Sequence, residues 1–167
     1  MIRESDTQIR ADDLKAWIRR FSDTKILVVG DIILDKFVWG DVTRISPEAP
    51  VPVVEVTQET KRLGGAANVL NNIASLGGHP ILCGVVGEDR AGGEIVERIR
   101  DLGLPVEGVV PVNDRPTSVK SRVVAHNQQV VRFDRESRKR IQPEGVHRIL
   151  DFVEQVWDRV EVLLIHC

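Results

Sequence analysis

The sequence predicts an α/β fold in which helices cover both faces of a mainly parallel sheet and a small β lid is added. Short apolar runs such as "KILVVGD", "HPILCGVVG" and "EVLLIHC" have the length and composition of buried parallel strands. Segments with helical periodicity alternate with these runs, and such alternation is typical of a parallel sheet. Two further pairs of extended segments do not fit that sheet, and they predict the lid.

The chain opens with a helix ahead of the first strand. Residues 11–21 place apolar side chains at helical spacing, with Asp12 or Asp13 as possible caps. We therefore expect residues 1–24 to form a helical lead-in. A chain of 167 residues fits one domain, and we expect residues 25–167 to belong to it.

Two extended segments follow the first strand, where an α/β unit usually has a helix. They cover roughly residues 32–39 and 51–57, around a Ser-Pro-Glu-Ala-Pro turn. Pro50 and Pro52 favour an edge position or a separate small sheet for the second segment, because proline cannot donate a ladder hydrogen bond.

Alternating polar and apolar residues also predict a hairpin, with arms at 117–125 and 129–134 around "HNQ". The hairpin and the first extended pair are both insertions between core elements, so we expect them to pair with each other. The predicted lid spans residues 34–57 and 117–134 and would cover the ligand ends of the parallel strands.

Three more helices complete the pattern. The helix after a glycine pair ends at Gly77 and Gly78, the next is capped by Asp89 and ends at Gly103, and the last starts at Pro143. "VEGVVPV" and "EVLLIHC" are the remaining strands.

Composition argues against several classes of function. With 23 Lys and Arg against 25 Asp and Glu, and 4% aromatic residues, nothing indicates a nucleic-acid surface. The charged N-terminus and the lack of an apolar run of roughly 20 residues predict neither export nor a membrane span. Cys83 and Cys167 lack metal-ligand spacing, which fits a reduced, cytoplasmic compartment. The four histidines are scattered along the sequence, so we predict no metal site.

The stretch "RLGGAANVLNNIASLGG" places Gly64 and Gly65 at a helix start. Glycines allow close approach to the backbone, and the first amides of a helix point outward unsatisfied, which suits an anion or a set of hydroxyls. The alternative is a tight turn that packs the helix against a strand. A dinucleotide fingerprint would need Gly-x-Gly-x-x-Gly after the first strand, where this sequence has "GDIILD".

These residues resemble the ribokinase-like (PfkB) carbohydrate kinases. "GGAANVLNNIASLGGHPILCGVVGEDRAGG" matches their N-terminal signature of a glycine pair, an Asn and a later Gly-x-Asp-x-x-Gly. "VVGDIILDKFVWGDVTRISPEAPVPVVEV" and "TSVKSRVVAHNQQVVRFD" resemble, more narrowly, the kinases of heptose 7-phosphate that serve ADP-heptose and lipopolysaccharide synthesis. The resemblance implies transfer of the γ-phosphoryl group of ATP, with Mg²⁺, to a sugar hydroxyl.

The resemblance also implies that part of the machinery lies elsewhere. Members of the family continue with further β-α units that carry a Gly-Ala-Gly-Asp motif, whose Asp takes the proton from the sugar hydroxyl. This motif does not occur in the sequence. We therefore expect this chain to hold the sugar-binding half and the lid, to contain no catalytic residue, and to be inactive alone. ATP and Mg²⁺ would bind tightly only to the full-length enzyme.

The sugar-binding residues follow from the same resemblance. Asp31 follows the first strand, where its carboxylate would accept hydrogen bonds from sugar hydroxyls, although a helix or turn cap is the alternative. Gly64 and Gly65 would let the sugar lie against the backbone, while the amide of Asn68 reads hydroxyls. Asp35 lies further along, inside the extended segment, and is not assigned to the site.

A sugar phosphate also needs cations for its phosphate group. Arg44, Lys120, Arg122 and Arg132 are the candidates, and strand alternation places Lys120 and Arg122 on one face. Each of them, taken singly, also fits a solvated lid charge. Asn127 either joins this site or holds the hairpin turn.

Family resemblance further implies a homodimer formed through the lid. Two other functions stay open. The missing motif favours a catalytically inactive module for sugar-phosphate binding or dimerisation. A kinase of another sugar is the third possibility, and "RISPEAPVPVV" argues against it.

Overall fold

The computed structural model describes residues 10–166, which form two four-stranded sheets and four α-helices. The strands are, in chain order, β1 Lys25–Gly30, β2 Ile32–Ile45, β3 Pro52–Gly65, β4 His79–Gly87, β5 Val109–Val112, β6 Ser118–Ala125, β7 Gln128–Arg135 and β8 Val162–His166. The helices are α1 Ala11–Arg20, α2 Ala66–Ser75, α3 Arg90–Asp101 and α4 Pro143–Trp157.

Sheet A is the predicted parallel sheet. Its strand order is β5–β4–β1–β8, and each neighbouring pair is parallel. Its strands are short and apolar because both faces are covered in part by helices. The α/β fold class and the parallel arrangement predicted from the apolar runs are confirmed.

The two faces of sheet A pack against different helices. On one face, Val28 of β1 packs with Leu70 of α2 and Ile95 of α3 in the main hydrophobic cluster. On the other face, Leu27 and Cys83 pack against Val156 of α4. Burial raises the pKa of the Cys83 thiol to about 11, so this thiol stays protonated and packs as a small apolar group.

Sheet B contains the two insertions, in the order β3–β2–β6–β7. Strand β2 pairs antiparallel with β3 and parallel with β6, and β6 and β7 form the predicted hairpin. The prediction that the two insertions pair with each other is therefore confirmed. Strand β3 lies at an edge and begins at Pro52, as its prolines predict.

Some element boundaries differ from those predicted. Strands β2 and β3 have 14 residues each, because their pairing continues far beyond the segments 32–39 and 51–57. Helix α1 is capped by Arg10 without a side-chain hydrogen bond, so Asp13 lies in the first turn and not at the cap. Cys167 and residues 1–9 lie outside the described residues, as does the side chain of Asp12.

None of the helices in residues 10–166 is long and apolar enough to cross a membrane.

Candidate functional site

Asp31 stands at the carboxyl end of β1, where parallel α/β sheets bind their ligands. Its backbone carbonyl accepts a hydrogen bond of 2.9 Å from the amide of Ala66, the first residue of α2. The residue is exposed, and its carboxylate makes no hydrogen bond within residues 10–166. The connection fixes the backbone of Asp31 and leaves its carboxylate available to a ligand.

The space beside Gly64 and Gly65 is occupied by other atoms of the protein. A Cβ at Gly65 would lie 2.2 Å from the carbonyl oxygen of Asp31, and Gly65 has a φ of +56°. A Cβ at Gly64 would lie 2.5 Å from Oδ2 of Asp35. The pair thus packs the start of α2 against β2, which is the tight-turn alternative. Contact of these glycines with a sugar stays a prediction.

Asn68 is the third residue of α2 and is exposed. Since Ala66 is bonded to Asp31, the first turn of α2 lies beside the end of β1. Asn68 also lines an open cavity of about 460 Å³ together with Arg62 and Asn71. Asp31 does not line that cavity. The two predicted sugar-binding residues are therefore linked through the backbone hydrogen bond between Asp31 and Ala66, but they do not line a common cavity.

One face of sheet B is rich in charge, and we call it the arginine face. The strand registers place four cations and two carboxylates on it: Arg62, Lys120, Arg122, Arg132, Asp35 and Asp134. The expectation that Lys120 and Arg122 share a strand face is confirmed. Because two of the four cations have no carboxylate partner among residues 10–166, the face favours an anionic ligand.

The arginine face has two ion pairs, one between strands β6 and β2 and one within β7. Nη1 of Arg122 donates to Oδ1 of Asp35 at 2.5 Å, with both side chains 23% exposed. Nε of Arg132 lies 3.2 Å from Oδ1 of Asp134. Arg122 and Arg132 are direct register partners, so these carboxylates offset a repulsion that would otherwise weaken the β6–β7 pairing.

An aromatic pair lies within this face. Phe37 and Trp39 of β2 stack with ring centroids 5.9 Å apart. The guanidinium carbons of Arg62 and Arg122 lie 5.6 Å and 5.3 Å from the Phe37 centroid. Sequence reasoning missed Phe37 and Arg62, and it left Asp35 outside the site. Side chains alternate between the two faces of a strand, and this alternation along β2 and β3 would have placed all three residues on one face.

The structure does not bring the other two predicted phosphate-site residues to this cluster. Arg44 pairs with Val53 near the far end of the β2–β3 ladder, roughly 30 Å from Asp35 at the usual rise per residue. Asn127 lies at the tip of the β6–β7 hairpin, where His126 and Asn127 have φ of 50° and 62°. These left-handed residues form the two-residue turn, which is the alternative role for Asn127.

The Gly-x-Asp-x-x-Gly segment, residues 87–92, connects sheet B to the core. Asp89 caps α3 through a 2.9 Å bond from the Gly92 amide, as predicted. The same carboxylate accepts bonds from the hydroxyl and the amide of Thr117, at 2.7 and 3.0 Å. Thr117 is buried just before β6, and its hydroxyl accepts from the Gly87 amide. Burial raises the pKa of Asp89, but these hydrogen bonds outweigh it and lower the pKa.

A second anchor joins β3 to α3. Nζ of Lys61 lies 2.5 Å from Oε2 of Glu94, whose other oxygen accepts from Arg98. Burial opposes ionisation of Glu94, but the bonds from Lys61 and Arg98 lower its pKa overall. A cavity of about 790 Å³ lies beside this anchor, between α3 and the face of sheet B opposite the arginine face. It is lined by Leu34, Lys36, Phe133 and other residues, and none of the predicted site residues is among them.

Within residues 10–166, no group of three or more His, Cys, Asp or Glu side chains lies close enough together to hold a metal ion.

Comparison with known proteins shows the family to which the chain belongs. Residues 23–156 match the model of the pfkB family carbohydrate kinases, and the chain belongs to that family. The fold agrees: ribokinase from Giardia lamblia superposes on 85% of this chain with a TM-score of 0.62 at 17% identity, and 44% of its own chain is covered.

Curated relatives narrow the comparison. The chain is 48% identical over 139 residues to the bifunctional protein HldE of Geobacter sulfurreducens, which covers 83% of this chain. It is 43% identical over 153 residues to that of Geotalea uraniireducens, which covers 92% of this chain. The aligned parts make up 28% and 31% of those two proteins, so the chain spans less than a third of their length.

Proposed function

We propose that this chain provides the sugar-binding part of a heptose 7-phosphate kinase that supplies ADP-heptose for lipopolysaccharide synthesis. The observation that carries the proposal is the 43–48% identity to bifunctional proteins HldE over most of the chain. The complete enzyme would transfer the γ-phosphoryl group of ATP to a hydroxyl of the sugar phosphate.

The described residues would bind and orient the sugar. The carboxylate of Asp31 has the acceptors for sugar hydroxyls, and the exposed amide of Asn68 can both donate and accept. The arginine face would attract the phosphate group of the sugar. Mg²⁺ and ATP would supply the transferred group and neutralise its charge, and we assign no residue of this chain to hold them. The sequence lacks the Gly-Ala-Gly-Asp motif, so we assign no general base to it either.

The domain and assembly predictions belong to this proposal. Residues 1–24 would form the lead-in and residues 25–167 the N-terminal part of a kinase domain. Sheet B would serve as the lid over the sugar and as the dimer contact. The compartment would be the cytoplasm, where sugar phosphates and ATP are available.

Two measurements on the 167-residue chain test the proposal. Calorimetry with heptose 7-phosphate should detect binding, and a coupled assay of ADP release should detect no turnover above a control without enzyme. Fructose 6-phosphate and ribose are the comparison ligands, and tighter binding of either would favour the kinase of another sugar. Turnover would contradict the assignment of no catalytic base, and absence of any sugar binding would contradict the assigned sugar site.

The absent Gly-Ala-Gly-Asp motif favours a second candidate function, a catalytically inactive module for sugar-phosphate binding or dimerisation. Reading the coding DNA beyond Cys167 distinguishes the two. An in-frame continuation that encodes the motif would favour the kinase, and an immediate stop codon would favour the module.

A further inference from the structure

The cations of sheet B differ in whether a carboxylate already neutralises them. Arg122 is paired with Asp35, Arg132 with Asp134 and Lys36 with Glu59, and Lys61 is paired with Glu94 of α3. On the arginine face, Arg62 and Lys120 have no carboxylate partner within residues 10–166. Arg44 and Arg135 have none there either, but they lie outside that face. A phosphate dianion gains most from a cation that is not already paired, because no existing ion pair has to be broken.

Arg62 is also the better placed of the two. Its guanidinium stacks on Phe37 at 5.6 Å, and the guanidinium of Arg122 lies 5.3 Å from the same centroid. The distance between the guanidinium carbons of Arg62 and Arg122 is therefore at most the sum of their two distances to the ring centroid. Stacking on a ring restricts a long side chain and leaves the N–H groups of the guanidinium edge free to donate. Arg62 is exposed and lines the cavity that Asn68 also lines.

We propose that Arg62, held on the ring of Phe37 beside Arg122, selects a phosphorylated sugar over its unphosphorylated form. This inference rests on the proposed function, because it assumes that the sugar lies near Asn68. Arg62 would donate two hydrogen bonds to the phosphate, and Arg122 would add positive charge while it stays bonded to Asp35. Phe37 is then a positioning residue, since it acts through the two guanidiniums.

The test compares heptose 7-phosphate with unphosphorylated heptose, titrated by calorimetry into the 167-residue chain. Arg62→Gln should weaken binding of heptose 7-phosphate by about ten- to a hundredfold, the range for charge-assisted hydrogen bonds, and leave binding of heptose unchanged. Arg62→Lys should give an intermediate loss, because it keeps the charge but not the planar fork. Arg135→Gln is the matched control: Arg135 lies on the opposite face of sheet B, and its loss should change neither affinity.

The outcomes separate this inference from the proposed function. If the wild-type chain binds heptose and heptose 7-phosphate equally, or Arg62→Gln weakens both alike, the role of Arg62 is overturned while the sugar site stands. If Arg62-dependent binding is equally strong for fructose 6-phosphate, the role of Arg62 is supported and the heptose assignment fails. If neither sugar binds, both proposals fall. Matching urea denaturation curves for the Arg62 variants would show that losses of affinity do not come from unfolding.

Discussion

At the scale of single residues, Asp31 and Asn68 have backbones fixed by the fold and side chains that the fold does not use. The Asp31 carbonyl is bonded to the Ala66 amide, and Asn68 follows two residues later in the same helical turn. Neither side chain makes a hydrogen bond within residues 10–166. Unpaired polar side chains on a fixed backbone are suited to ligand binding, because no existing hydrogen bond has to be broken and only side-chain entropy is lost when the ligand arrives.

We predict that Asp31→Ala and Asn68→Ala each weaken sugar binding in the full-length enzyme by about 1–3 kcal/mol, the cost of leaving a polar partner unsatisfied. Both side chains are exposed, so the free energy of unfolding should change by less than about 0.5 kcal/mol. Asn72→Ala, one turn further along α2 and also exposed, is the control. Unchanged calorimetric affinity in both site variants would show that the sugar binds elsewhere.

At the scale of secondary-structure elements, β2 joins the core to the arginine face. Its side chains alternate: Ile32 and Leu34 are buried in the main cluster, whereas Asp35 and Phe37 point to the opposite face. A register shift of one residue would exchange the two faces, so the apolar residues of β2 fix the positions of the charged ones.

Much of this element pattern was predictable because its causes are local. The apolar runs of sheet A, the cap at Asp89 and the prolines at the start of β3 each act over a few residues. The ion pair between Asp35 and Arg122 was not predictable, since it depends on the parallel register of strands 87 residues apart. The length of β3 was missed for a similar reason: the charged segment 58–63 has a weak strand signal and is extended because β2 pairs with it.

The anchor at Asp89 gives a prediction about the junction of α3 and β6. Asp89→Ala removes the helix cap and the acceptor for Thr117, and we expect a loss of about 2 kcal/mol in the free energy of unfolding near neutral pH. Glu88→Ala is the control, because the Glu88 side chain is exposed and makes no hydrogen bond within residues 10–166. Urea denaturation measures both, and equal stabilities would show that the cap contributes nothing.

A comparison of the wild-type protein with Asp89→Ala also predicts how stability depends on pH. The pKa of Asp89 is lower in the folded chain than in the unfolded one, so its ionisation stabilises the fold above the unfolded value of about 3.9. That stabilisation is lost as the pH falls through the folded pKa. The difference in unfolding free energy between wild type and Asp89→Ala should therefore narrow in acid. A difference that grows on acidification would contradict the lowered pKa.

At the scale of the whole molecule, large apolar side chains remain exposed in several places, among them strands β7 and β8 and helix α4. Strand β7 is exposed along its whole length and forms an edge of sheet B. Strand β8 forms an edge of sheet A, and helix α4, which packs on β4 and β5, has an exposed apolar stripe of its own. The large exposed apolar residues of these three elements are Val130, Val131 and Phe133 on β7, Val146, Leu150 and Trp157 on α4, and Val162, Leu163 and Ile165 on β8.

We predict that the 167-residue chain self-associates, because exposed strand edges with apolar side chains recruit further strands. Light scattering should give a mass of at least two chains, and we expect sheet B to carry the specific dimer. Phe133→Ser should then shift the population toward monomer, since Phe133 is 57% exposed on β7. Ile165→Thr, on the β8 edge, should reduce larger aggregates and leave the dimer in place. A monodisperse wild-type monomer with one cooperative denaturant transition would show that these edges do not drive association, and would remove the proposed lid dimer.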